Sequence, residues 1–179
     1  MSIDPTNGSL LVLYPGKNQL LRFNKQGRKT QQVLLHQVEK NNLVNDLVVA
    51  NNGDIFITNS NNIVSRYNGK GEIKEQWSVD EKGKNVKLSS ISISSVSKEL
   101  FLIVNRNMVQ RYTTDGKLIT QWETEKVRSL SGISVNKKDE VFYLTLNRSE
   151  KKNALHLLTE YYYKTDGVLD DELITFCIE

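Results

Sequence analysis

The chain of 179 residues has little of several residue types on which enzymes and cross-linked folds depend. Its single cysteine, Cys177, excludes a disulfide within the chain and fits a reducing compartment. Its two histidines, His36 and His156, lie in no metal-ligand or nucleophile motif. No apolar run approaches the roughly 20 residues that a membrane-spanning helix needs. We therefore expect a cytoplasmic protein that does not enter a membrane.

Excess charge of either sign is also missing. The chain has 24 basic and 21 acidic side chains and a net charge of +3, so it lacks the strongly basic balance of many nucleic-acid-binding domains. Hydrophobic residues make up 38% of the sequence and charged residues 25%, which is typical of a folded globular protein. The length favours one domain over residues 1–179.

What the sequence does contain is a repeat. An aromatic residue followed four positions later by glycine recurs about every 45 residues, at Phe23/Gly27, Tyr67/Gly71, Tyr112/Gly116 and Tyr163/Gly167. An apolar run precedes each aromatic residue, and these runs are Leu10–Tyr14, Ile55–Thr58, Leu100–Val104 and Val141–Leu146. Short runs rich in β-branched and aromatic residues, separated by Asn, Gly and Asp, indicate strands and turns.

Each copy therefore predicts four strands, with a glycine turn before the fourth. Four antiparallel strands in 40–50 residues are typical of a β-propeller blade. We predict an all-β fold, a β-propeller of about four four-stranded antiparallel blades, which is either complete or an incomplete part of a six-bladed propeller. The blades are expected at approximately 1–44, 45–88, 89–130 and 131–179. A β-sandwich is the alternative, since it is also built from short strands.

Three stretches resemble the NHL repeat. Asn107–Leu118 resembles its core, in which Asn precedes an apolar–Gln–Arg–aromatic strand and an Asp-Gly turn, and Ser131–Val135 is similar to its opening strand. Asn62–Tyr67 with Gly71 follows the pattern more loosely. This resemblance implies a propeller, usually six-bladed, that binds proteins or RNA.

Another stretch, Val44–Thr58, resembles a blade of the calcium-dependent propeller hydrolases, the gluconolactonase, strictosidine synthase and paraoxonase relatives. In that family the asparagine at the position of Asn45 binds the metal. The resemblance implies Ca²⁺ held by oxygen ligands that include Asn45, and hydrolysis of lactones or esters. Ser89 and Ser131 stand at the matching places in later copies, and the alternative is that Asn45 and Asp46 only shape a turn before a strand.

Six basic residues are candidates for binding. Arg22, Arg66 and Arg111 each precede a repeat aromatic and lie on the opposite face of its strand. They either line a groove between blades or pair with acids or carbonyls of the next blade. Arg148, Lys151 and Lys152 fall in a predicted protruding loop of the longer fourth copy, and their loop is expected to contribute to a surface at one end of the blades.

The sequence holds no complete catalytic set. We therefore favour a non-enzymatic binding or scaffold module without a cofactor, which recognises a protein, or less readily RNA, through loops at one end of the blades. The alternative is part of a Ca²⁺-dependent propeller hydrolase. An exposed terminal blade face would also lead us to expect pairing with another propeller half or with a second copy of the chain.

Overall fold

The computed structural model describes residues 1–14, 17–35, 43–79, 86–124, 130–147, 158–164 and 174–177, with side chains up to residue 144. All regular elements in these ranges are β-strands. None of the described residues form a helix that is long and apolar enough to cross a bilayer. The predicted all-β class is confirmed.

The described strands form four antiparallel sheets of four strands each, and within each sheet the strands lie in chain order. Sheet 1 consists of β1 (Ser2–Ile3), β2 (Leu10–Tyr14), β3 (Gln19–Phe23) and β4 (Lys29–Leu34). Sheet 2 consists of β5 (Val44–Val49), β6 (Ile55–Asn59), β7 (Ile63–Tyr67) and β8 (Ile73–Ser78). Sheet 3 consists of β9 (Leu88–Ile93), β10 (Leu100–Val104), β11 (Met108–Tyr112) and β12 (Leu118–Glu123). Sheet 4 consists of β13 (Leu130–Val135), β14 (Val141–Asn147), β15 (Leu158–Lys164) and β16 (Ile174–Cys177).

Successive sheets pack face to face, because the second strand of each inner sheet is apolar on both sides. All five residues of β6 and all five of β10 are buried. The sequence of a strand that is buried on both faces is a continuous apolar run, and such runs were the basis for predicting these strands. One apolar core lies between each pair of neighbouring sheets: Leu47, Ile57 and Tyr67 pack with sheet 1; Phe56, Leu100 and Tyr112 join sheets 2 and 3; and Phe101, Val109 and Tyr143 join sheets 3 and 4.

The repeat glycine is a packing residue as well as a turn residue. Gly71 has φ +83°, and a Cβ there would lie 2.5 Å from the carbonyl oxygen of Leu34 in the preceding sheet. Gly116 has φ +85° and lies in the same way against the indole ring of Trp77. Only glycine adopts this backbone conformation without strain and also leaves room for the neighbouring sheet.

The repeat aromatic side chains of sheets 2 and 3 face the preceding sheet. Tyr67 and Tyr112 are buried in the cores formed with sheets 1 and 2. Phe23, at the same position of sheet 1, is only half-buried. Sheet 4 departs from the prediction. In sheet 3, Leu100 of β10 pairs with Tyr112, the repeat aromatic residue. In sheet 4, Val141 holds the place of Leu100 but pairs with Lys164, so Tyr163 lies at the register position of Arg111. The proposed equivalence of Tyr163 with Phe23 is therefore wrong by one residue in the register of β15, and Gly167 lies outside the described residues.

Candidate functional site between sheets 1 and 2

The turns between the first and second strands and between the third and fourth strands of a sheet lie at the same end of it, because consecutive strands are antiparallel. We call this the turn end. In sheets 1 and 2 it comprises residues 4–9 and 24–28, and residues 50–54 and 68–72. Several of these turns are built by an asparagine side chain that accepts backbone N–H groups, as Asn68 Oδ1 does from Lys70 and Glu72.

An arginine–carboxylate pair recurs at the turn end of sheets 1, 2 and 3. Arg22 pairs with Asp4, Arg66 with Asp54, and Arg111 with Glu99. In each of these sheets a β-bulge between the third and the fourth strand of the sheet adjoins the arginine. Such bulges change the direction of nearby side chains. These six residues make the pair a repeated structural feature of the fold.

The close ion pairs were expected with acids of the next blade, but each of these acids belongs to the arginine's own sheet. The reason is strand alternation: Phe56 is the cross-strand partner of Arg66, and Asp54, two residues earlier, lies on the same face. The Arg66 guanidinium carbon lies 5.7 Å from the centroid of the Phe56 ring. Arg111 stacks on Phe101 in the same way at 5.6 Å.

Arg66 also acts on the next sheet, through Asp115. The pKa of Asp115 is lowered mainly by a hydrogen bond from the Thr113 side chain, and the charge of Arg66 helps to lower it.

Asp54 is the most heavily paired of the three acids. It accepts hydrogen bonds from Arg66 Nε at 2.8 Å, from Lys74 Nζ at 2.9 Å and from Asn52 Nδ2 at 3.0 Å. Its side chain is only 7% exposed. Burial alone would raise the pKa of Asp54, but the hydrogen bonds from Lys74 and Arg66 outweigh it and hold the pKa below 3.8. The carboxylate therefore stays ionised at neutral pH.

Asp4 is ionised for a related reason. Burial acts to raise its pKa, and hydrogen bonds from Thr6 and Arg22 together lower it below 3.8. Thr6 donates its backbone N–H to Asp4 Oδ1 at 2.9 Å, and Asn7 Nδ2 donates to Oδ2 at 3.2 Å. The Arg22 guanidinium also donates to Ser9 Oγ at 2.8 Å.

Arg22 differs from Arg66 in the residue opposite it on the fourth strand. Arg66 pairs in register with Glu75, which accepts a hydrogen bond from Nη1 at 3.4 Å, so all three of its nitrogens donate to acids. Arg22 pairs in register with the neutral Gln31. Within the described part of the chain, Arg22 donates only through Nη1, to Asp4 and Ser9. Its Nε and Nη2 groups are therefore available to a ligand.

Arg22 lines an open groove between sheets 1 and 2 at the turn end. The groove has a volume of about 420 Å³, and its lining is polar: Asp4, Asn7, Arg22, Gln31, Asn52, Asp54 and Asn68, with Gly53 and Gly69. A second hollow of about 310 Å³ adjoins it on sheet 1, and Arg22 and Asn7 line both. Lys25, Gln26 and Thr30 are exposed at the second hollow. One of the two readings of the arginines, that they line a groove between blades, thus describes the place of Arg22.

The remaining predicted binding residues do not join this groove in the described structure. Arg66 and Arg111 lie at the turn end of sheets 2 and 3 and are engaged by acids. Arg148, Lys151 and Lys152 lie outside the described residues. Sequence reasoning missed Gln31, because its significance depends on register. Aligning the fourth strands of the repeats would have found it, since Gln31, Glu75 and Thr120 occupy the same place opposite the three arginines.

Asn45 connects sheet 2 to sheet 3. Its Nδ2 donates to the carbonyl oxygen of Leu88 at 2.9 Å. The neighbouring Asp46 accepts from Ser90 Oγ at 2.7 Å and from the Ile91 N–H at 3.1 Å, while its Oδ1 accepts from the Leu47 N–H. Among the described residues, no cluster of three or more His, Cys, Asp or Glu side chains is placed to hold a metal ion. Calcium binding by Asn45 stays a prediction, and both Asn45 and Asp46 already have structural partners in sheet 3.

Comparisons with known proteins identify the architecture. A streptogramin B lyase structure matches 98% of this chain with a TM-score of 0.63 and 12% sequence identity. Virginiamycin B lyase from Staphylococcus aureus matches 97% with a TM-score of 0.60 and 18% identity, and a protein of unknown function from Bacteroides caccae matches 96% with a TM-score of 0.57 and 15% identity. No protein-family model matches the sequence, and no curated protein matches it.

The four sheets are part of a β-propeller. The chain spans 53–58% of the length of these solved structures, so it corresponds to about half of each. At 12–18% identity the likeness shows the fold alone. It supports the predicted propeller and leaves the resemblance to NHL repeats as an expectation.

Proposed function

We propose that this chain is a propeller binding module that recognises a segment of another protein in the groove between sheets 1 and 2. The unused N–H groups of Arg22 are the observation that supports this proposal most directly. An arginine fork donates best to a carboxylate, so the recognised segment carries an Asp or Glu side chain or a free carboxyl end. The Asp4 carboxylate keeps the guanidinium in place before the partner arrives.

The rest of the lining suits a peptide better than RNA. Side-chain amides of Asn7, Gln31, Asn52 and Asn68 both donate and accept, as the backbone of a bound segment requires. Two ionised carboxylates, Asp4 and Asp54, lie in the same groove. RNA binding depends on neutralising consecutive phosphates with basic side chains. Arg22 is the basic side chain among the residues that line this groove, which suits a single carboxylate better than a run of phosphates. A protein partner is therefore favoured over RNA.

The experiment follows from the register difference between sheets. Replacing Gln31 with Glu gives Arg22 the acidic partner that Glu75 gives Arg66. Thr120→Glu makes the matched change opposite Arg111 in sheet 3, also at an exposed position. Peptides are first selected on the wild-type chain from a displayed random library. Their affinities for the three proteins are then measured by fluorescence anisotropy, beside a 20-nucleotide poly(U) RNA.

We expect the selected peptides to share one Asp or Glu, or to bind through their free carboxyl end, and to lose at least tenfold in affinity with Gln31→Glu but not with Thr120→Glu. A tenfold loss corresponds to about 1.4 kcal/mol, close to the lower limit of what a hydrogen bond to a charged group contributes. Selection of peptides that bind both variants as well as wild type would refute the groove as the site. Tight, salt-dependent binding of poly(U) with no peptide selected would replace the protein partner with RNA.

A further inference from the structure

The face of sheet 1 that points away from sheet 2 is apolar, and within the described ranges its side chains are exposed or half-buried and not covered by another sheet. In sheets 2 and 3 the equivalent faces are covered by the preceding sheet. Val49 and Ile55, for example, are 3% and 1% exposed. The same two register positions in sheet 1 are Ile3 and Leu10; Ile3 is 65% exposed and Leu10 is half-buried.

This open face is more apolar than a buried face of the same fold. Tyr14 and Leu34 lie at the ends of their strands, both in register with Gln19, and are 48% and 54% exposed. Sheet 2 has Asn59 and Ser78 at those two positions. A terminal repeat that faces water normally carries a polar outer surface. Sheet 1 therefore has the composition of a sheet that is covered by another.

Sheet 4 carries a surface of the kind that covers such faces. At each interface within the chain, the earlier of the two sheets contributes a phenylalanine or leucine from its second strand. Phe56 and Phe101 have this role and are 0% and 2% exposed. Phe142 holds this position in sheet 4 and is half-buried. The register of sheet 4 continues the apolar pattern, pairing Phe142 with Tyr163 and Leu144 with Tyr161.

We propose that a second copy of this chain covers the open face of sheet 1 with its sheet 4. The contact repeats, between copies, the packing that joins consecutive sheets within the chain. Such a head-to-tail contact closes a ring of two copies when the rotation between them also brings sheet 4 of the first copy against sheet 1 of the second. Two copies supply eight sheets, which is within the usual range of four to eight blades.

The first test is the mass in solution, measured by light scattering after size exclusion at 5 to 100 µM. The wild-type chain, of 20.5 kDa, is expected at twice its own mass. The double variant Ile3→Arg/Leu34→Arg is expected at the monomer mass with an unchanged far-ultraviolet circular dichroism spectrum, because both side chains are already exposed. Val96→Arg is the control, because Val96 is 59% exposed but lies in a turn of sheet 3, away from the proposed contact. This variant is expected to stay dimeric. A wild-type monomer at 100 µM, or a double variant that stays dimeric, overturns the proposal.

The second test separates a head-to-tail contact from sheet 1 packing on sheet 1. Phe142→Arg is expected to give monomers, and mixing it with Ile3→Arg/Leu34→Arg is expected to restore dimers, because the mixed pair keeps one unaltered interface. If Phe142→Arg does not fold, Leu144→Lys serves the same purpose on β14. A folded sheet 4 variant that remains dimeric overturns the proposal. Peptide binding through Arg22 is measured separately and does not depend on this outcome.

Discussion

Gly116 of sheet 3 lies against the indole ring of Trp77 in sheet 2, so close that a Cβ would stand 2.6 Å from Trp77 Cδ2. The substitution Gly116→Ala therefore forces two costs, a left-handed backbone at φ +85° for a non-glycine residue and displacement of a packed ring. We expect a loss of about 3 kcal/mol in the free energy of unfolding, measured by urea denaturation.

Gly53 provides the control for Gly116. It has φ +82°, but a Cβ there would meet nothing within 4 Å. Gly53→Ala is expected to cost about 1 kcal/mol, from backbone strain alone. Equal costs for the two substitutions would show that contact between sheets 2 and 3 does not restrict position 116.

Acid stability should depend on Asp54. Its pKa is lowered in the folded state, so its contribution is fully present above its unfolded value of 3.8 and is lost as pH falls through the lower folded value. Asp54→Asn is expected to lower stability at pH 7 by about 2 kcal/mol, because Arg66 and Lys74 lose their shared partner. It should also flatten the fall in stability below pH 4. Urea midpoints from pH 2 to 7 measure this, with Glu123→Gln as an exposed control; parallel curves for wild type and Asp54→Asn would contradict it.

Alkaline stability should depend on Tyr143. Burial raises the pKa of Tyr143 to about 12, while an unfolded tyrosine titrates near 10. The raised value means that its contribution is complete below pH 10 and is lost as pH rises towards 12. Tyr143→Phe should reduce this loss, and at pH 7 it should cost about 1 kcal/mol because Trp122 Nε1 loses the acceptor at 2.8 Å. Thermal melts from pH 8 to 12 test this, and a Tyr143→Phe protein that loses stability as steeply as wild type would contradict it.

Asn45 is expected to stabilise the junction of sheets 2 and 3 without a metal. Asn45→Ala removes the hydrogen bond to Leu88 and should lower the free energy of unfolding by about 1 kcal/mol. Addition of 1 to 5 mM CaCl2 should leave the melting temperature of wild type and variant unchanged. A calcium-dependent rise in the wild-type melting temperature that Asn45→Ala abolishes would instead restore Asn45 as a metal ligand.

Much of the strand pattern was predictable because the repeat is local. The apolar runs Leu10–Tyr14 and Leu100–Val104 are β2 and β10, and the aromatic–glycine spacing identified the buried places of Tyr67 and Tyr112. These elements are specified by residues within a few positions of one another. The propeller prediction rested on that regularity and is confirmed.

The site was less predictable because it depends on pairing across strands. Arg66 was expected to reach the next blade, yet strand alternation places Asp54 beside it in its own sheet. The open donors of Arg22 follow from Gln31 standing opposite it, and that pairing requires the register of β3 and β4. Tyr163 shows the limit of spacing alone, since its register in β15 is offset by one from the repeat.

The outermost strands differ in how well they resist unwanted association. An exposed sheet edge invites pairing with another chain unless charges interrupt it. β8 places Lys74 and Glu75 on its edge, whereas the corresponding places in β12 are Ile119 and Thr120, and Leu118 and Ile119 are each 44% exposed. β12 is therefore expected to associate more readily than β8 during concentration or heating, and Ile119→Lys, which gives β12 the lysine that sheet 2 has at position 74, is expected to suppress this association.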